Sequence, residues 1–554
     1  MQRRWSLQAA RLREEGLFRA TTATVILSRL GGIFSATPLQ EDLFQETMAV
    51  EAIDIFVSHS WAADRRAKFL AMCFALNLSL AMKSTLTAIL LGQCLLGLLP
   101  PQSVSMVFLV AMDVPVLAFF LVLLFGQQIT CGLWGPGLWL DKICVNQNIQ
   151  SDKKRAIAGL AAFVARSSQM LVLWDETYFQ RLWCNFELSV FLKCHDVRKL
   201  QFVPLWLPPW LLTTMTCCYA GGRLAAIAAA FADIQALEDQ SSSQQTGRGT
   251  ALAFGTNRLL KYIADGQGFL VFCIPSLIFS IVSFHAKLHG HRLMLESIRN
   301  FDLREADCAI EEDRLQIEAQ VCELFDGLEE PIVVSPIESS ATFSDIEETS
   351  LPVLSVEERR AIRAVTDYGD DGECIGAFNS YVHGPLLNAV MEDLGDEVQA
   401  PWLVCSLSFL PATLCFAALT LTSAPYFRRA GFPSAALFVA ENYVQILCMT
   451  LLILPLAHPL LLRAMSFFAT IAGPGVLRDM LILAAGIAIY SLLLLVSSIL
   501  TGALEVFVLT LHVAFLAGFL VAFLLVFVGS RSLFGGSHGL WQLPQISCRC
   551  LART

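Results

Sequence analysis

Long apolar stretches constrain this chain more than any other feature, because about 20 consecutive apolar residues form a helix that crosses the roughly 30 Å hydrocarbon core of a bilayer. Mean hydropathy is +0.59 over 554 residues, and only 16% of them are charged. So little polar surface does not suit a soluble protein of this length. We therefore predict a multi-pass membrane protein with four C-terminal transmembrane helices, at residues 402–423, 435–462, 480–500 and 506–528.

Further apolar stretches interrupt the N-terminal half. Only three residues separate 85–100 from 104–129, which predicts a membrane hairpin whose two ends return to the same side. Residues 269–284 form another candidate span, and residues 202–220 form an ambiguous one because two prolines interrupt it. The number of spans stays open between six and eight.

Basic residues beside the C-terminal spans favour one orientation. Arg463, Arg478 and Arg531 follow the positive-inside rule if their loops face the cytosol, whereas Arg428 and Arg429 favour the opposite side. The majority places the segment before residue 402 in the cytosol, and we predict the same side for the α/β domain described below.

The segment 287–401 is strongly acidic, with 26 acidic and 8 basic side chains. Its negative charge excludes a nucleic-acid groove there, so we expect no nucleic-acid partner. Apolar spacing predicts helices at 293–325 and 375–394. The polar stretch 239–250 and the acidic stretch 326–358 are predicted to be loop or disordered.

The 17 cysteines show neither a CxxC pair nor a metal-ligand spacing, and many lie inside apolar runs. We interpret them as reduced and structural, and predict no metal site. The patterns GxGxxG, GxxxxGK[ST] and HExxH do not occur. Rossmann, P-loop and zinc-protease chemistry therefore lack their sequence support.

Three short apolar runs in the N-terminal half are typical of buried parallel strands. A helical pattern at 152–166 separates the second run from the third, which predicts a right-handed βαβ unit. Residues 178–192 and 200–205 predict a further helix and strand. We expect an α/β fold with a parallel sheet, interrupted by the membrane hairpin, plus an α-helical transmembrane bundle. The three strand runs are 52–61, 138–144 and 169–174.

Polar side chains follow each strand run. Ser58, His59 and Ser60 end the first run, Asp141 follows the apolar part of the second, and Asp175 follows the third. The carboxyl ends of parallel strands are the usual ligand-binding edge of an open α/β sheet. We therefore expect a binding site at this edge.

Three of these segments, DIFVSHSW, LDKICVNQ and RLWCNFEL, together resemble the Toll/interleukin-1 receptor (TIR) domains of multi-pass membrane proteins of protists. The third segment is similar to the WCxxEL helix of plant TIR domains. The resemblance covers about residues 50–205 without the inserted hairpin, and it implies a flavodoxin-like, TIR-type sheet. The chain departs from an ordinary TIR domain by about seventy residues inserted between Arg66 and Leu138.

Many TIR domains hydrolyse NAD+ at its nicotinamide glycosidic bond with a glutamate on this helix, and the matching residue here is Glu187. The resemblance thus implies NAD+ as a substrate, no bound cofactor, and self-association through the TIR-like domain. It implies that the first strand leads into the loop that covers the bound nucleotide, and that Asp141 contacts a ribose or a backbone amide. The residues that it assigns to nucleotide binding are Ser58, His59, Ser60, Asp141 and Trp183.

A carboxylate suits this chemistry, because breaking the glycosidic bond builds oxocarbenium character on the ribose. Glu187 has a plainer alternative, an ion pair with Arg181 or Lys193 on a solvated helix face. The alternative for residues 58–60 is a helix-capping turn before Asp64. Both pairs of alternatives stay open at this point.

Three functions follow. The first is a membrane-anchored TIR-like signalling protein that binds or cleaves NAD+, and the second is a non-enzymatic TIR-type interaction module on a membrane anchor. The third is a transporter or channel regulated by the TIR-like domain, with Asp113 and Glu441 facing a pathway. These two residues, with Asn442 and His512, lie inside predicted spans, and interhelical hydrogen bonding is the favoured explanation for them.

The predicted domain organisation follows from these patterns. The N-terminal region is arginine-rich but also acidic, which favours a cytosolic amphipathic helix over a transit peptide. The predicted regions are 1–49, N-terminal amphipathic or flexible; 50–205, TIR-like domain with the hairpin at about 85–129; 206–286, membrane segments and polar linker; 287–401, acidic and partly disordered helical; 402–530, four-helix transmembrane; and 531–554, short tail.

Overall fold

The structure, a computed structural model, describes residues 2–35, 43–99, 103–133, 135–239, 251–308, 310–325 and 371–534. Its strands are β1 (Arg19–Thr22), β2 (Met48–Ala49), β3 (Ile53–His59), β4 (Gly137–Trp139), β5 (Ser167–Trp174) and β6 (Leu200–Pro204). They form one mixed sheet in the order β2-β1-β4-β3-β5-β6. Strands β4, β3, β5 and β6 run parallel, and β1 is antiparallel to β4 and to β2. The expected parallel sheet is confirmed for these four strands.

Helices cover the sheet and build the membrane part. Those in and beside the sheet domain are α1 (Gln2–Glu14), α2 (Ala23–Ile26), α3 (Arg65–Leu98), α4 (Val104–Phe108), α5 (Val114–Ile129), α6 (Asp141–Cys144), α7 (Gln150–Ala158), α8 (Leu160–Ala165) and α9 (Leu182–Cys194). Those that follow are α10 (Leu207–Asp239), α11 (Ala251–Gly268), α12 (Leu270–Arg299), α13 (Glu311–Phe325), α14 (Asp371–Tyr381), α15 (Leu387–Leu394), α16 (Trp402–Ser408), α17 (Leu410–Ser423), α18 (Ala435–Leu447), α19 (Ala457–Ile471), α20 (Val476–Thr510) and α21 (Val513–Phe534).

The second predicted strand is shorter than expected. β4 ends at Trp139, and Asp141 begins the helical turn α6 instead of continuing the strand. The Asp141 carboxylate accepts the backbone N–H of Lys142 at 2.7 Å, and a carboxylate at the start of a helix is stabilised by the free N–H groups there. In addition, β3 lies between β4 and β5, so the connection from β4 to β5 passes across β3.

The N-terminal segment belongs to the sheet domain. We expected an amphipathic or flexible region, and α1 is indeed helical, but β1 extends the sheet by pairing with β4. Phe18, just before β1, is fully buried and stacks on Phe163 with ring centroids 5.1 Å apart. The burial of this aromatic side chain explains why the segment is held against the sheet.

The first sheet helix and the first membrane span are one helix. Asp64 accepts the Ala67 N–H at 2.8 Å and caps α3, which then runs 34 residues without interruption. The helix therefore begins 20 residues before the predicted start of the span at residue 85, because the chain offers no helix-breaking residue between the two points. Asn77 ties this helix to α5, because it donates to the Leu123 carbonyl and accepts from Gln127, both at 2.9 Å.

The membrane part agrees with the coarse prediction and corrects its details. Within the described ranges, five helices are long and apolar enough to cross a membrane, or seven if each of two bent pairs counts as one span. This supports a membrane protein. The predicted break between 500 and 506 is wrong: α20 continues to Thr510, and the chain turns at Leu511, whose φ is +55°. His512 is therefore exposed in a turn and not inside a span.

The ambiguous span at 202–220 is divided between two elements. Phe202 lies in β6, and α10 begins at Leu207. Its two prolines stand in the first turn of α10, where a helix leaves backbone N–H groups without partners and proline is tolerated. The predicted loops at 239–250 and 326–358 fall outside the described residues, apart from Asp239, which ends α10.

The acidic region docks on the α/β domain. α13 packs against α9, and the Leu182 N–H, at the start of α9, donates to the Asp307 carbonyl at 3.1 Å. A disulfide joins Cys322 of α13 to Cys374 of α14 in this structure, a pairing that the interpretation of the cysteines as reduced did not include. Residues distant in sequence thus become part of the wall around α9.

Candidate functional site

A chain of three hydrogen-bonded side chains joins β3 to the segment after β5. Ser58 Oγ lies 2.5 Å from Glu187 Oε2 and 2.8 Å from the Tyr178 hydroxyl oxygen. When Glu187 is ionised, Ser58 donates its single proton to the carboxylate, so Tyr178 must donate to Ser58. Two of the predicted site residues, Ser58 and Glu187, are therefore in direct contact.

Glu187 lies on a helix that is buried on almost every side. Leu182, Phe186 and Val190 of α9 are at most 3% exposed, and α8 and α13 pack against the same helix. This apolar surface fixes the helix on the sheet and turns the partly buried Glu187 towards β3. The side chain therefore faces the sheet and not the solvated helix face that the plainer alternative required.

Burial changes the acidity of Glu187. Loss of water raises the pKa of its carboxyl to about 8, the Ser58 hydrogen bond opposes that rise, the Asp141 charge adds to it, and the Arg181 charge opposes it. The carboxyl is consequently mostly protonated at neutral pH when no ligand is present. A cationic group placed beside it would favour the ionised form and release the proton.

Ser60 belongs to a second group of hydroxyl and carboxyl side chains. The Thr177 hydroxyl lies 2.7 Å from Ser60 Oγ and 2.9 Å from Asp175 Oδ1. Burial raises the pKa of Asp175, and the hydrogen bond from Thr177 opposes the rise. Since Ser60 also accepts the Ala62 N–H at 3.3 Å, this residue helps to form the turn that leads into α3.

Asp141 stands beside a tryptophan and two lysines. Its Oδ2 accepts the Trp61 indole N–H at 3.0 Å, and its Oδ1 accepts the Lys142 backbone N–H. Burial raises the pKa of Asp141. The Lys68 ammonium lies 5.5 Å from the centre of the Trp61 ring, and burial lowers its pKa to about 8. In the described part of the chain this ammonium has no hydrogen-bond partner.

His59 is held neutral inside the domain. Burial first, and then the positive charges of Lys68, Arg181 and Lys142, hold its pKa well below its usual value. Its ring contacts Trp61 edge-on, with centroids 4.5 Å apart. His59 therefore acts as packing for Trp61 in this structure.

Trp183 takes a different position from the other predicted residues. It is half-buried and packs edge-on against Phe186, three residues further along the same helix, with ring centroids 6.1 Å apart. Within the described ranges it does not join the hydrogen-bond chain of Ser58 and Glu187.

Three site residues escaped the sequence interpretation. Lys68 and Tyr178 lie outside the three quoted segments, and Trp61, which ends the segment DIFVSHSW, was not assigned a role. Lys68 alone left a signal, because it is a lone charge within the apolar run AKFLAMCF, and a buried charge is costly without a purpose. The roles of Trp61 and Tyr178 in the site are recognisable only from their contacts.

The arrangement suits a polar ligand that carries positive charge and hydroxyl groups. Asp141 follows β4, Asp175 follows β5, and Glu187 of α9 contacts Ser58 near the end of β3. The hydroxyls of Ser60 and Thr177 lie beside Asp175, and carboxylates accept hydrogen bonds from ribose-type hydroxyls. Among the described residues, no group of three or more His, Cys, Asp and Glu side chains is placed to hold a metal ion.

Polar residues of the membrane part pair with one another. The Tyr219 hydroxyl donates to Asp113 Oδ1 at 2.8 Å, and Glu441 accepts a hydrogen bond from Gln445 on the same helix. Arg258 of α11 forms an ion pair with Glu505 of α20 at 2.6 Å. The interhelical hydrogen bonding favoured from the sequence is confirmed for Asp113, whereas the hydrogen bond of Glu441 lies within its own helix. The Arg258–Glu505 ion pair was not indicated by hydropathy.

Comparison of the chain with protein-family models, with curated proteins and with solved structures returned no match.

Proposed function

We propose that this chain is a membrane-anchored signalling protein whose TIR-like α/β domain hydrolyses NAD+ at its nicotinamide glycosidic bond, with Glu187 as the catalytic carboxylate. The observation that carries the proposal is the position of Glu187, whose carboxylate accepts a hydrogen bond from Ser58 near the carboxyl end of β3, beside β5. Along the parallel part of the sheet the strand order is β4-β3-β5-β6. Counted from β3, this is the order of flavodoxin-like sheets, whose ligands bind where the order reverses, between β3 and β5.

The chemistry uses the charge of Glu187. As the bond from the ribose C1′ to the nicotinamide nitrogen breaks, its electron pair leaves with neutral nicotinamide and the ribose becomes an oxocarbenium ion. Ionised Glu187 stabilises that cation at short range in a site of low polarity. Water then adds to C1′ and loses its proton to the carboxylate or to solvent. The positive nicotinamide ring of bound NAD+ favours the ionised carboxylate before the bond breaks.

The remaining residues position the substrate in this proposal. Asp141 and Asp175 accept hydrogen bonds from the ribose hydroxyls, Ser60 lies in the turn that covers the nucleotide, and Trp183 offers an aromatic surface at the rim. Lipid is the constant partner of the membrane helices, the domain faces the cytosol, and copies of the domain associate with one another.

The experiment compares the detergent-solubilised parent with Glu187→Gln and with the control Glu176→Gln, an exposed carboxylate in the turn before α9. NAD+ loss and nicotinamide release are followed at high protein concentration, so that associated domains are present. We expect release by the parent and by the control but not by Glu187→Gln. Gel filtration and thermal unfolding establish that all three proteins are folded.

A non-enzymatic interaction module is the second candidate, and one contact favours it. Ser58 donates a hydrogen bond to the Glu187 carboxylate, and such a bond is also found where a buried carboxyl group only stabilises the fold. Folded parent protein that releases no nicotinamide yet self-associates, with or without Glu187→Gln, would establish this candidate in place of the first.

A further inference from the structure

We propose that the transmembrane bundle conducts protons along a line of buried polar side chains, with Glu441 as the group that binds and releases the proton. The line runs from the turn at Leu511, at one end of the bundle, towards the α/β domain. Such conduction does not depend on NAD+ cleavage by that domain.

A polar network at the Leu511 end joins three helices, and each helix contributes two side chains one turn apart. The members are Arg258 and Tyr262 of α11, Glu441 and Gln445 of α18, and Thr501 and Glu505 of α20. Arg258 donates to Glu505 at 2.6 Å, and the Tyr262 hydroxyl donates to Gln445 Oε1 at 2.7 Å. The Gln445 amide in turn donates to Glu441. The repeated spacing on three helices indicates an organised site.

The charges of this network do not balance. Arg258 forms its ion pair with Glu505, whereas the two Glu441 oxygens accept hydrogen bonds from uncharged amides, those of Gln445 and, at 3.3 Å, of Asn442. In the described part of the chain, Glu505 and Arg258 are the charged groups that act on Glu441. Two carboxylates thus share one guanidinium, and Glu441 is only 4% exposed. An uncompensated carboxylate is unfavourable at membrane depth, so Glu441 requires a bound cation.

A proton is the cation that fits this place. A metal ion such as Ca²⁺ or Mg²⁺ needs six or more oxygen ligands, and among the described residues no group of three or more His, Cys, Asp and Glu side chains is placed to hold one. A proton needs one carboxylate oxygen. Glu441 lies six residues after the start of α18 at Ala435, which is about 9 Å from that helix end, so the route from solvent is short.

The buried face of α20 continues the line into the bundle. Its polar side chains, each at most 8% exposed, are Tyr490, Ser497, Ser498, Thr501 and Glu505. Separations of three, four and seven residues place them on one face of the helix, whereas Leu492 and Ile499, on the opposite face, are exposed and apolar. From Tyr490 to Glu505 this face spans about 22 Å, out of a hydrocarbon core of about 30 Å.

A second polar face, on α12, extends the line towards the α/β domain. The Tyr490 hydroxyl forms a hydrogen bond with Ser276 of α12. Further along the same face of α12 come Ser280, Lys287 and His291, and all four α12 residues are at most 1% exposed. This face again spans about 22 Å. The two faces, joined at Tyr490, are together longer than the hydrocarbon core is thick.

His458 lies beside the longest interval on α12, between Ser280 and Lys287. Its ring packs against Phe284 with centroids 5.8 Å apart, and its Nε2 lies 2.9 Å from Ser408 Oγ. His458 is fully buried. An imidazole at this depth is expensive in hydrocarbon, and histidine and carboxyl side chains form the proton relays of membrane proteins.

The transfer involves the proton alone. Hydroxyl, imidazole and protonated carboxyl groups can each donate one hydrogen bond and accept another, so a proton can pass from one group to the next. A proton that enters at the Leu511 end forms an O–H bond on Glu441, and its onward transfer breaks that bond while the electron pair stays on the oxygen. No oxidant or second substrate is required.

The test uses the full chain reconstituted in liposomes that contain a trapped pH-sensitive dye. A potassium gradient with valinomycin sets an inside-negative potential, and the rate of internal acidification measures proton entry. We expect faster acidification than in protein-free liposomes, at a rate that does not change when external sodium is replaced by choline. A rate that requires sodium, or no rate above the protein-free background with folded protein, would overturn the proposal.

Matched variants locate the path. Glu441→Gln preserves the shape of the side chain but removes its titrating group, and it should reduce acidification to the protein-free rate. Asp113→Asn removes another intramembrane carboxylate, one that is bonded to Tyr219 away from this line, and should leave the rate unchanged. Tyr490→Phe removes the hydroxyl that joins the two faces and should lower the rate about tenfold, as expected for one lost hydrogen bond. Equal rates for Glu441→Gln and Asp113→Asn would contradict the role of Glu441.

Infrared spectroscopy distinguishes proton binding from a purely structural role of Glu441. The parent should show a carboxyl C=O stretching component that disappears as the pH rises, and this component should be absent from Glu441→Gln. Thermal unfolding in detergent verifies that every variant is folded before reconstitution. Identical pH-dependent spectra of the parent and Glu441→Gln would show that Glu441 does not bind the proton.

Discussion

The pH dependence of the proposed NAD+ cleavage tests directly whether Glu187 is its catalytic carboxylate. The pKa of its carboxyl is about 8 in the ligand-free protein, so about one tenth of the molecules carry the carboxylate at pH 7 and about one hundredth at pH 6. Since only the ionised form stabilises the ribose cation, kcat/KM should rise about tenfold per pH unit from pH 6 to pH 7. It should gain about a further tenfold between pH 7 and a plateau near pH 9.

The two kinetic constants should respond differently. kcat/KM reports the free protein, whereas kcat reports the complex. In the complex the nicotinamide charge lowers the pKa of Glu187, so the midpoint of kcat should lie at lower pH than that of kcat/KM. Coincident midpoints would contradict a direct contact between the carboxylate and the cationic ring.

The assay measures nicotinamide by chromatography from pH 6 to pH 9 in a buffer of constant ionic strength. Glu187→Gln at each pH supplies the background from spontaneous alkaline breakdown of NAD+, and gel filtration verifies the fold at both extremes. Ser58→Ala removes the hydrogen bond that favours the carboxylate, so the midpoint should move up by about one unit. A profile that is flat or falls between pH 6 and pH 8 in folded protein would refute the reasoning.

Three further predictions concern stability and location. Burial lowers the pKa of Lys68 from 10.5 to about 8, so the unfolded chain holds this proton more tightly and stability should rise with pH between about 8 and 10.5. Lys68→Met should abolish that rise and stabilise the protein at pH 7 by up to about 3 kcal/mol. The control Lys83→Met, on an exposed face, should change neither the stability nor its pH dependence, as measured by thermal unfolding in detergent. Arg258→Met leaves the carboxylate of Glu505 without its partner and should destabilise the bundle by about 3 kcal/mol; adding Glu505→Gln should restore most of this, and additive losses would contradict the pairing. The Cys322–Cys374 disulfide should form in purified protein without reductant but stay open in cells if the domain is cytosolic; alkylation at lysis with peptide mapping decides this, and full linkage in cells would overturn the cytosolic placement.

Continuity between the sheet and the membrane gives the two halves a physical connection. α3 begins beside the candidate site, where Asp64 caps it and Lys68 lies near Trp61. The same helix then crosses into the apolar hairpin and is held to α5 through Asn77. One unbroken helix therefore joins the candidate site to the membrane hairpin.

Some features could be predicted from the sequence because they depend only on the local pattern of residues. Long apolar runs indicate membrane helices whatever their partners, since the bilayer requires the same length and composition of each. The runs that became β3, β5 and β6 are continuous and apolar because parallel strands are covered on both faces. Helix ends were the weakest predictions, as at Leu511, because a left-handed turn inside an apolar run leaves no trace in hydropathy.

The sequence by itself determined that this chain has a membrane part and a parallel α/β part, because the pattern of apolar residues indicates which faces of a segment are buried in protein or lipid and which contact water. Only the tertiary structure decided that Ser58 and Glu187, 129 positions apart, share a hydrogen bond, and that α13 covers α9. It also decided the burial that raises the pKa of Glu187 and lowers that of Lys68. The physical reason is that contacts and desolvation depend on distances in space, which a linear pattern of residue types does not contain.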